Sequence, residues 1–221
     1  MKAASLLAMA LVFSTSLTSH AQSLTPEQAW TRLKDGNSRY LSGKSIHPRF
    51  DAAKREKTFR EGQKPIATIL GCSDARVPPE MVFDQGFGDL FVVRVAGNVC
   101  ALAELASIEY GVKYLHTPLI AVMGHSKCGA VDCALSGASL RGSLPKLMNM
   151  ITPVTDKTKK AHPDLKGDAL LDAAIEDNVR NSIAEILKTS PGLAQLVKEK
   201  KLIIVGGIRN IQTGAIRWIT Y

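Results

Sequence analysis

Two short stretches hold the reactive groups of this sequence. In CSDAR, Cys72, Asp74 and Arg76 put a thiol, a carboxylate and a guanidinium on alternate residues, directly after the apolar run PIATIL at 65–70. In GHSKC, His125 and Cys128 stand at the end of a second apolar run, PLIAVMG at 118–124. Two thiolates and an imidazole are ligands that zinc accepts in tetrahedral geometry, at about 2.0 to 2.3 Å. Three protein ligands leave a fourth position for water, which marks a catalytic rather than a structural zinc. A compact zinc finger would cluster its ligands in close pairs, whereas here a whole crossover separates Cys72 from His125. A lone cysteine at a strand end is usually just a small buried residue. Two chemically matched clusters that both end apolar strands are a stronger signal.

For these groups to meet, the fold must bring the two strand ends together. Four apolar runs read as buried strands, at 65–70, 90–96, 118–124 and 201–208, with helical patterns over 101–115, from about Cys128, and over 169–189. This alternation predicts an α/β fold: a mostly parallel central sheet flanked by helices. Ligands bind such sheets off the carboxyl ends of the strands, and both clusters fall on that edge. Cys128 is expected in the first turn of its helix, where the dipole favours a thiolate. Upstream, Thr25-Pro26-Glu27-Gln28 has the pattern of a capping box and opens an N-terminal helix through Leu41, followed by a basic helical linker. No repeat, low-complexity tract or second domain is visible.

The chain has 221 residues, 45% hydrophobic and 22% charged, enough for one domain with a real core. Its N-terminus, MKAASLLAMALVFSTSLTSHAQ, carries Lys2, an apolar stretch of roughly a dozen residues and Ser19-His20-Ala21 before Gln22, the pattern of an export signal. The stretch is shorter than the about 20 residues that span a bilayer. The expectation is therefore a signal peptide at 1–21, one domain at 22–221, and a soluble exported protein without a membrane span, periplasmic in a Gram-negative source. The net charge of +8 is spread out, and its basic runs at 54–64 and 156–166 contain acids and lack interleaved aromatics, so nucleic acid is not an expected partner. Cys100 and Cys133 are read as small buried thiols rather than a disulfide, which only geometry can decide. His47, His116 and His162 fit no motif.

CSDARVPPE, GDLFVVRVAGN and GHSKCGAV together resemble the β-class carbonic anhydrases, with their C-x-D-x-R and downstream H-x-x-C. The resemblance covers nearly the whole chain after the signal. It implies the β-carbonic anhydrase fold with an N-terminal helical arm, and zinc-dependent reversible hydration of carbon dioxide to bicarbonate and a proton by a zinc-bound hydroxide. Cys72, His125 and Cys128 would bind one Zn2+ per subunit, with Asp74 and Arg76 as the catalytic dyad. Asp74 could also ligate zinc and close the site, and Arg76 would switch it between the two roles. Gln63 would hydrogen-bond substrate, and Phe91, Ala96 and Tyr110 would line an apolar carbon dioxide pocket. Ala96 stands where some members have valine.

Relatives of this kind build on dimers, some of them tetramers, with the N-terminal helix lying across the partner, so Gln63 or Tyr110 would serve the neighbour's zinc. Members with a regulatory bicarbonate pocket resemble one another in a tryptophan, a tyrosine and an arginine; here those places hold Ile69, Arg209 and Arg94, which implies that the pocket is missing. Two thiolates offset the charge of the metal and make its water less acidic, so activity should rise with pH through a midpoint above about 7. Three other readings compete. A serine hydrolase would use Ser126 in an imperfect G-x-S-x-G elbow but leaves CSDAR unexplained. A hydrolase of carbon disulfide or carbonyl sulfide would share the zinc chemistry. A non-catalytic zinc-binding relative would be expected to have lost a ligand, Asp74 or Arg76, and none is lost.

Overall fold

The runs around Ile69 and Val122 become β1 (Ala67–Gly71) and β3 (Leu119–His125), in which every residue is buried, as central parallel strands covered on both faces must be. A computed structural model describes residues 24–46 and 50–219; the expected signal segment and His47 lie outside the described residues. Around the two strands the chain forms α1 (Pro26–Leu41), α2 (Ala52–Glu61), α3 (Pro79–Val82), β2 (Leu90–Arg94), α4 (Leu102–Lys113), α5 (Gly129–Ser136), α6 (Leu144–Ala161), α7 (Gly167–Thr189), α8 (Pro191–Lys198), β4 (Ile203–Arg209) and β5 (Ile216–Ile219). The sheet order is β2-β1-β3-β4-β5, parallel except for β5, which pairs antiparallel with β4. Register fixes the functional edge: Gly71 lies opposite Met123, and His125 opposite Arg209.

Strand alternation sends side chains to two separate cores. Leu70, Ile120 and Val122 pack with Ile108 of α4 and Val179 and Ile183 of α7. Ile69, Leu119 and Ala121 pack on the other face with Ala29 and Leu33 of α1 and with Phe83. Full burial of one such aliphatic side chain contributes about 1.5–3 kcal/mol. All four cysteines are free, and Cys100 and Cys133 are only half-buried. Burial of the Cys100 thiol pushes it up to about 12. No helix among the described residues is long and apolar enough to cross a membrane.

The N-terminal arm consists of two unlike pieces. α1 starts at the expected capping box and docks on the chain's own sheet, with Gly36 so close to the Phe83 carbonyl that a Cβ would stand 1.8 Å from its oxygen. Asn37 Nδ2 then donates to the carbonyls of Val82 and Gly214, at 3.1 and 3.3 Å. α2, by contrast, buries no residue and leaves Phe59 85% exposed. The sequence reading did not find α3, α6, α8 or β5. α6 faces inward with Ile151, Val154, Thr155 and Thr158, a helical spacing hidden by two threonines and by Pro153 within the helix. The basic run at 156–166 is the end of α6 and the connection to α7.

Candidate metal centre

Cys72 follows β1 directly, and three contacts fix it. Arg94, at the end of β2, donates from Nε to the Cys72 carbonyl at 2.9 Å and from Nη2 to the Asp74 carbonyl at 2.7 Å. The Gly97 N–H donates to Cys72 Sγ at 3.4 Å. Gly97 belongs to a tight turn after β2, with φ of +73° there and +44° at Asn98. α7 holds that turn from behind: Asn178 Nδ2 donates to the Gly97 carbonyl at 2.7 Å, and Ser182 Oγ to the Asn98 carbonyl at 2.9 Å.

His125 ends β3 and Cys128 is the N-cap of α5, one position before the helical turn predicted for it. Gly124 permits the approach of α7, since a Cβ there would meet Val179 at 2.7 Å. His125 Nδ1 lies 3.0 Å from the Ser126 carbonyl. A carbonyl can only accept, so Nδ1 carries the proton and Nε2 presents a lone pair. His125 is 1% exposed and its Nε2 has no hydrogen-bond partner, which leaves a buried acceptor free to take a ligand. The ligand atoms of Cys72, His125 and Cys128 lie within 4.8 Å of one another, and all three residues are buried. The hydrogen bond from Cys128 pulls the Cys72 thiol down, and the same contact, with burial, pushes Cys128 up. A divalent cation held between them would favour both sulfurs as thiolates. Two soft sulfurs and an unprotonated ring nitrogen whose lone pair has no partner fit zinc.

Asp74 borders this cluster, its Oδ2 3.9 Å from His125 Nε2. Arg76 grips it bidentately: Nε donates to Oδ1 at 2.9 Å and Nη2 to Oδ2 at 2.6 Å, and the Arg76 backbone N–H adds a third bond at 2.9 Å. The guanidinium holds the Asp74 carboxyl well below the usual carboxylate range. Arg76 Nη2 also donates to the Lys127 carbonyl at 3.3 Å, which a left-handed residue, φ +56°, turns toward it.

The predicted pocket residues separate into two places. Ala96 opens the turn beside Cys72. Gln63 is exposed and backs onto Gly88, before β1 begins, at the opposite edge of the sheet. Phe91 and Tyr110 pair on the flank of β2 with ring centroids 5.8 Å apart, and Tyr110 stacks on Tyr114 at 5.4 Å. The chain therefore does not bring Gln63, Phe91 or Tyr110 to its own metal cluster.

At the regulatory-pocket positions the two arginines face main-chain carbonyls. Ile69 is fully buried, and Arg94 and Arg209 donate to the backbone carbonyls of Cys72, Asp74 and Arg76. The cavity that Arg209 lines beside Cys72 measures about 20 Å³, room for one water. Ser126 Oγ accepts from the Ile211 N–H at 3.0 Å, and the adjacent His125 imidazole turns Nδ1 to the Ser126 carbonyl rather than to its hydroxyl, so the pair is not arranged as nucleophile and base. Gly97, Lys127, Asn178 and Ser182 escaped the sequence reading, since each of the contacts described for them uses a backbone atom, which no residue type announces.

A protein-family model described as carbonic anhydrase matches residues 67–216. The carbonic anhydrase of Mycolicibacterium smegmatis is 37% identical over 195 residues, 86% of this chain and 92% of that protein. Carbonic anhydrase 2 of Mycobacterium tuberculosis is 37% identical over 191 residues, 86% of this chain and 90% of that protein. Among solved structures, the β-carbonic anhydrase CcaA matches with a TM-score of 0.70 at 28% identity, covering 86% of this chain and 95% of that one.

Proposed function

The chain belongs to the β-class carbonic anhydrases and catalyses the reversible hydration of carbon dioxide to bicarbonate and a proton; from that premise we propose how its residues divide the work. Cys72, His125 and Cys128 hold one zinc ion per subunit. The observation that carries this reading is the buried, partnerless His125 Nε2 within 4.8 Å of two sulfurs. Zinc held there supplies a Lewis acid that makes water nucleophilic near neutral pH.

The protein's own groups aim that nucleophile. Asp74, kept ionised by Arg76, accepts a hydrogen bond from the attacking water and so turns a lone pair toward carbon dioxide. Arg76 occupies both carboxylate oxygens, which leaves Asp74 an acceptor at the rim of the cluster rather than a ligand in it. A lysine has no fork to do this. Ala96 lines the substrate slot from the same chain. Gln63, Phe91 and Tyr110 belong to the slot of a second copy, in a homodimer or a tetramer built from dimers. Supporting this, α4 and its C-cap show an apolar stripe to solvent, with Leu102 84%, Tyr110 47% and Tyr114 70% exposed. The stripe flanks β2, an edge strand, and α2 beside it buries nothing. Lys2, the apolar stretch and the Ser19-His20-Ala21 site support export with a signal at 1–21 and a single periplasmic domain at 22–221.

Stopped-flow carbon dioxide hydration on chain 22–221, with zinc assayed in the same sample, tests the assignment. Fast, zinc-dependent hydration that drops about a hundredfold in Asp74→Ala is expected. A zinc-replete Asp74→Ala as fast as the parent would remove Asp74 from the mechanism.

A further inference from the structure

Arg209 is a buried arginine for which the mechanism above has no use. It ends β4, is 6% exposed, and lies opposite His125 in the sheet. Its carbonyl accepts from the Ser126 N–H at 2.9 Å, so its main chain fixes the turn that carries His125 and Cys128. Its guanidinium reaches the other cluster. Nη1 donates to the Arg76 carbonyl, and Nη2 donates to the Tyr40 hydroxyl at 2.9 Å, with the guanidinium 5.6 Å from the Tyr40 ring centroid. Tyr40, at the end of α1, sits against Gly214, where a Cβ would meet its ring at 2.8 Å. One residue thus ties together the two halves of the metal centre and the N-terminal helix.

The loop that Arg209 holds needs a tether. Ser73, Ala75 and Arg76 are exposed, and the Arg76 side chain in its ion pair with Asp74 is 52% exposed. An ion pair that open to solvent is weak by itself, yet Asp74 lies beside a site for a divalent cation that would attract it. Arg94 secures the loop from the β2 side through the carbonyls of Cys72 and Asp74. From the β4 side, Arg209 holds the main chain at its Arg76 end, where the loop's own contacts are the Val77 N–H to the Asp74 carbonyl and the Arg76 N–H to Asp74 Oδ1. Burying a guanidinium is costly unless its donors are used, and here two of its three nitrogens are used to hold this loop and α1.

We propose that Arg209 is a positioning residue for the Asp74–Arg76 pair: by fastening the Arg76 main chain to β4, it keeps Asp74 in the grip of Arg76 and off the fourth metal position. Tyr40 carries the docking of α1 into the same constraint. The inference rests on the role proposed above for Asp74 and Arg76.

The test uses the cobalt-substituted chain 22–221 and follows thiocyanate binding to the metal by visible absorption. Arg209→Met should weaken thiocyanate about tenfold, the scale of one lost charged hydrogen bond, because Asp74 now competes for the position. Adding Asp74→Ala to Arg209→Met should restore the affinity. Tyr40→Phe, which removes one hydroxyl and spares the fold, should weaken thiocyanate about threefold, again reversed by Asp74→Ala. Unchanged affinity in both single variants overturns the proposal. So does a loss that Asp74→Ala does not reverse, which is general damage to the site. Hydration by Asp74→Ala alone separates the two levels: if it is unimpaired, the dyad reading falls and this inference with it; if it is impaired while Arg209→Met binds thiocyanate normally, only the inference falls.

Discussion

At the carboxyl edge of the sheet, Cys72, His125 and Cys128 are 5%, 1% and 1% exposed, while on the β2 flank Tyr110 and Tyr114 are 47% and 70% exposed. The first region is complete within one chain. Its three candidate ligands sit at the ends of two central strands and at the N-cap of α5, and α7 and the arginines at the ends of β2 and β4 hold its loops. The second region presents an aromatic surface and a glutamine with nothing to act on. The difference teaches that, on the assignment proposed above, the polar machinery and the apolar substrate slot answer to different requirements. The ligands and dyad need main-chain rigidity, which a single fold provides; the slot needs only a surface of the right character, which a second copy can bring.

The comparison can be broken most forcefully at the carboxyl edge. His125→Ala should abolish zinc binding and lower hydration by more than about a thousandfold, as read by metal analysis and stopped flow. Retention of stoichiometric zinc would mean that the cluster is not the metal site. On the other flank, Leu102→Glu with Tyr114→Glu places charges on the exposed stripe, and should lower the mass in solution to one chain and reduce hydration about tenfold or more. A variant that stays assembled and active would show that the stripe is not an interface.

A mixing experiment sharpens the contrast. In a dimer reassembled from His125→Ala and Gln63→Ala chains, one site receives an intact metal cluster and the partner's intact glutamine. If Gln63 serves the neighbour, random reassociation of equal amounts should recover about a quarter of wild-type activity from two impaired parents. Activity equal to the mean of the parents would place Gln63 in its own chain's site.

The smallest effect concerns stability. Arg76 depresses the folded-state pKa of Asp74, so the pair stabilises the fold above the unfolded-state value near 4, and that contribution is lost as pH falls through the folded value. Asp74→Asn should therefore cost about 0.5–1 kcal/mol at pH 7, after allowance for solvent screening, with the deficit shrinking at pH 3. Urea unfolding of the zinc-free chain at both pH values measures it. A deficit that grows toward acid contradicts the assignment.

Much of this organisation was legible in the sequence. β1, β3 and β4 are apolar runs with sharp polar ends, and the reactive residues sit at two of those ends, so strand location alone placed Cys72, His125 and Cys128 on one edge. α1 announced itself through Thr25 and Gln28. Legibility failed where polar residues do apolar work. Thr155 and Thr158 pack inward on α6 because each hydroxyl bonds to a carbonyl within its own helix. It failed again where main chain does the chemistry, as with the Gly97 N–H and the Lys127 carbonyl. Arg209 was visible as an odd residue on the last parallel strand, but its partners Arg76 and Tyr40 are distant in sequence, and only the fold brings them together.

The separation of the ligands also has a kinetic meaning. Cys72 and His125 end strands that are neighbours in the sheet but are joined through β2 and α4. The ligand set does not exist until β1 and β3 have paired across that crossover, a non-local and therefore slow event. On the assignment proposed above, metal uptake would follow this assembly rather than template it, unlike in a zinc finger, whose ligands are close in the chain. Zinc added to a refolding chain should thus leave the folding rate unchanged and slow unfolding, stabilising by mass action a structure already built.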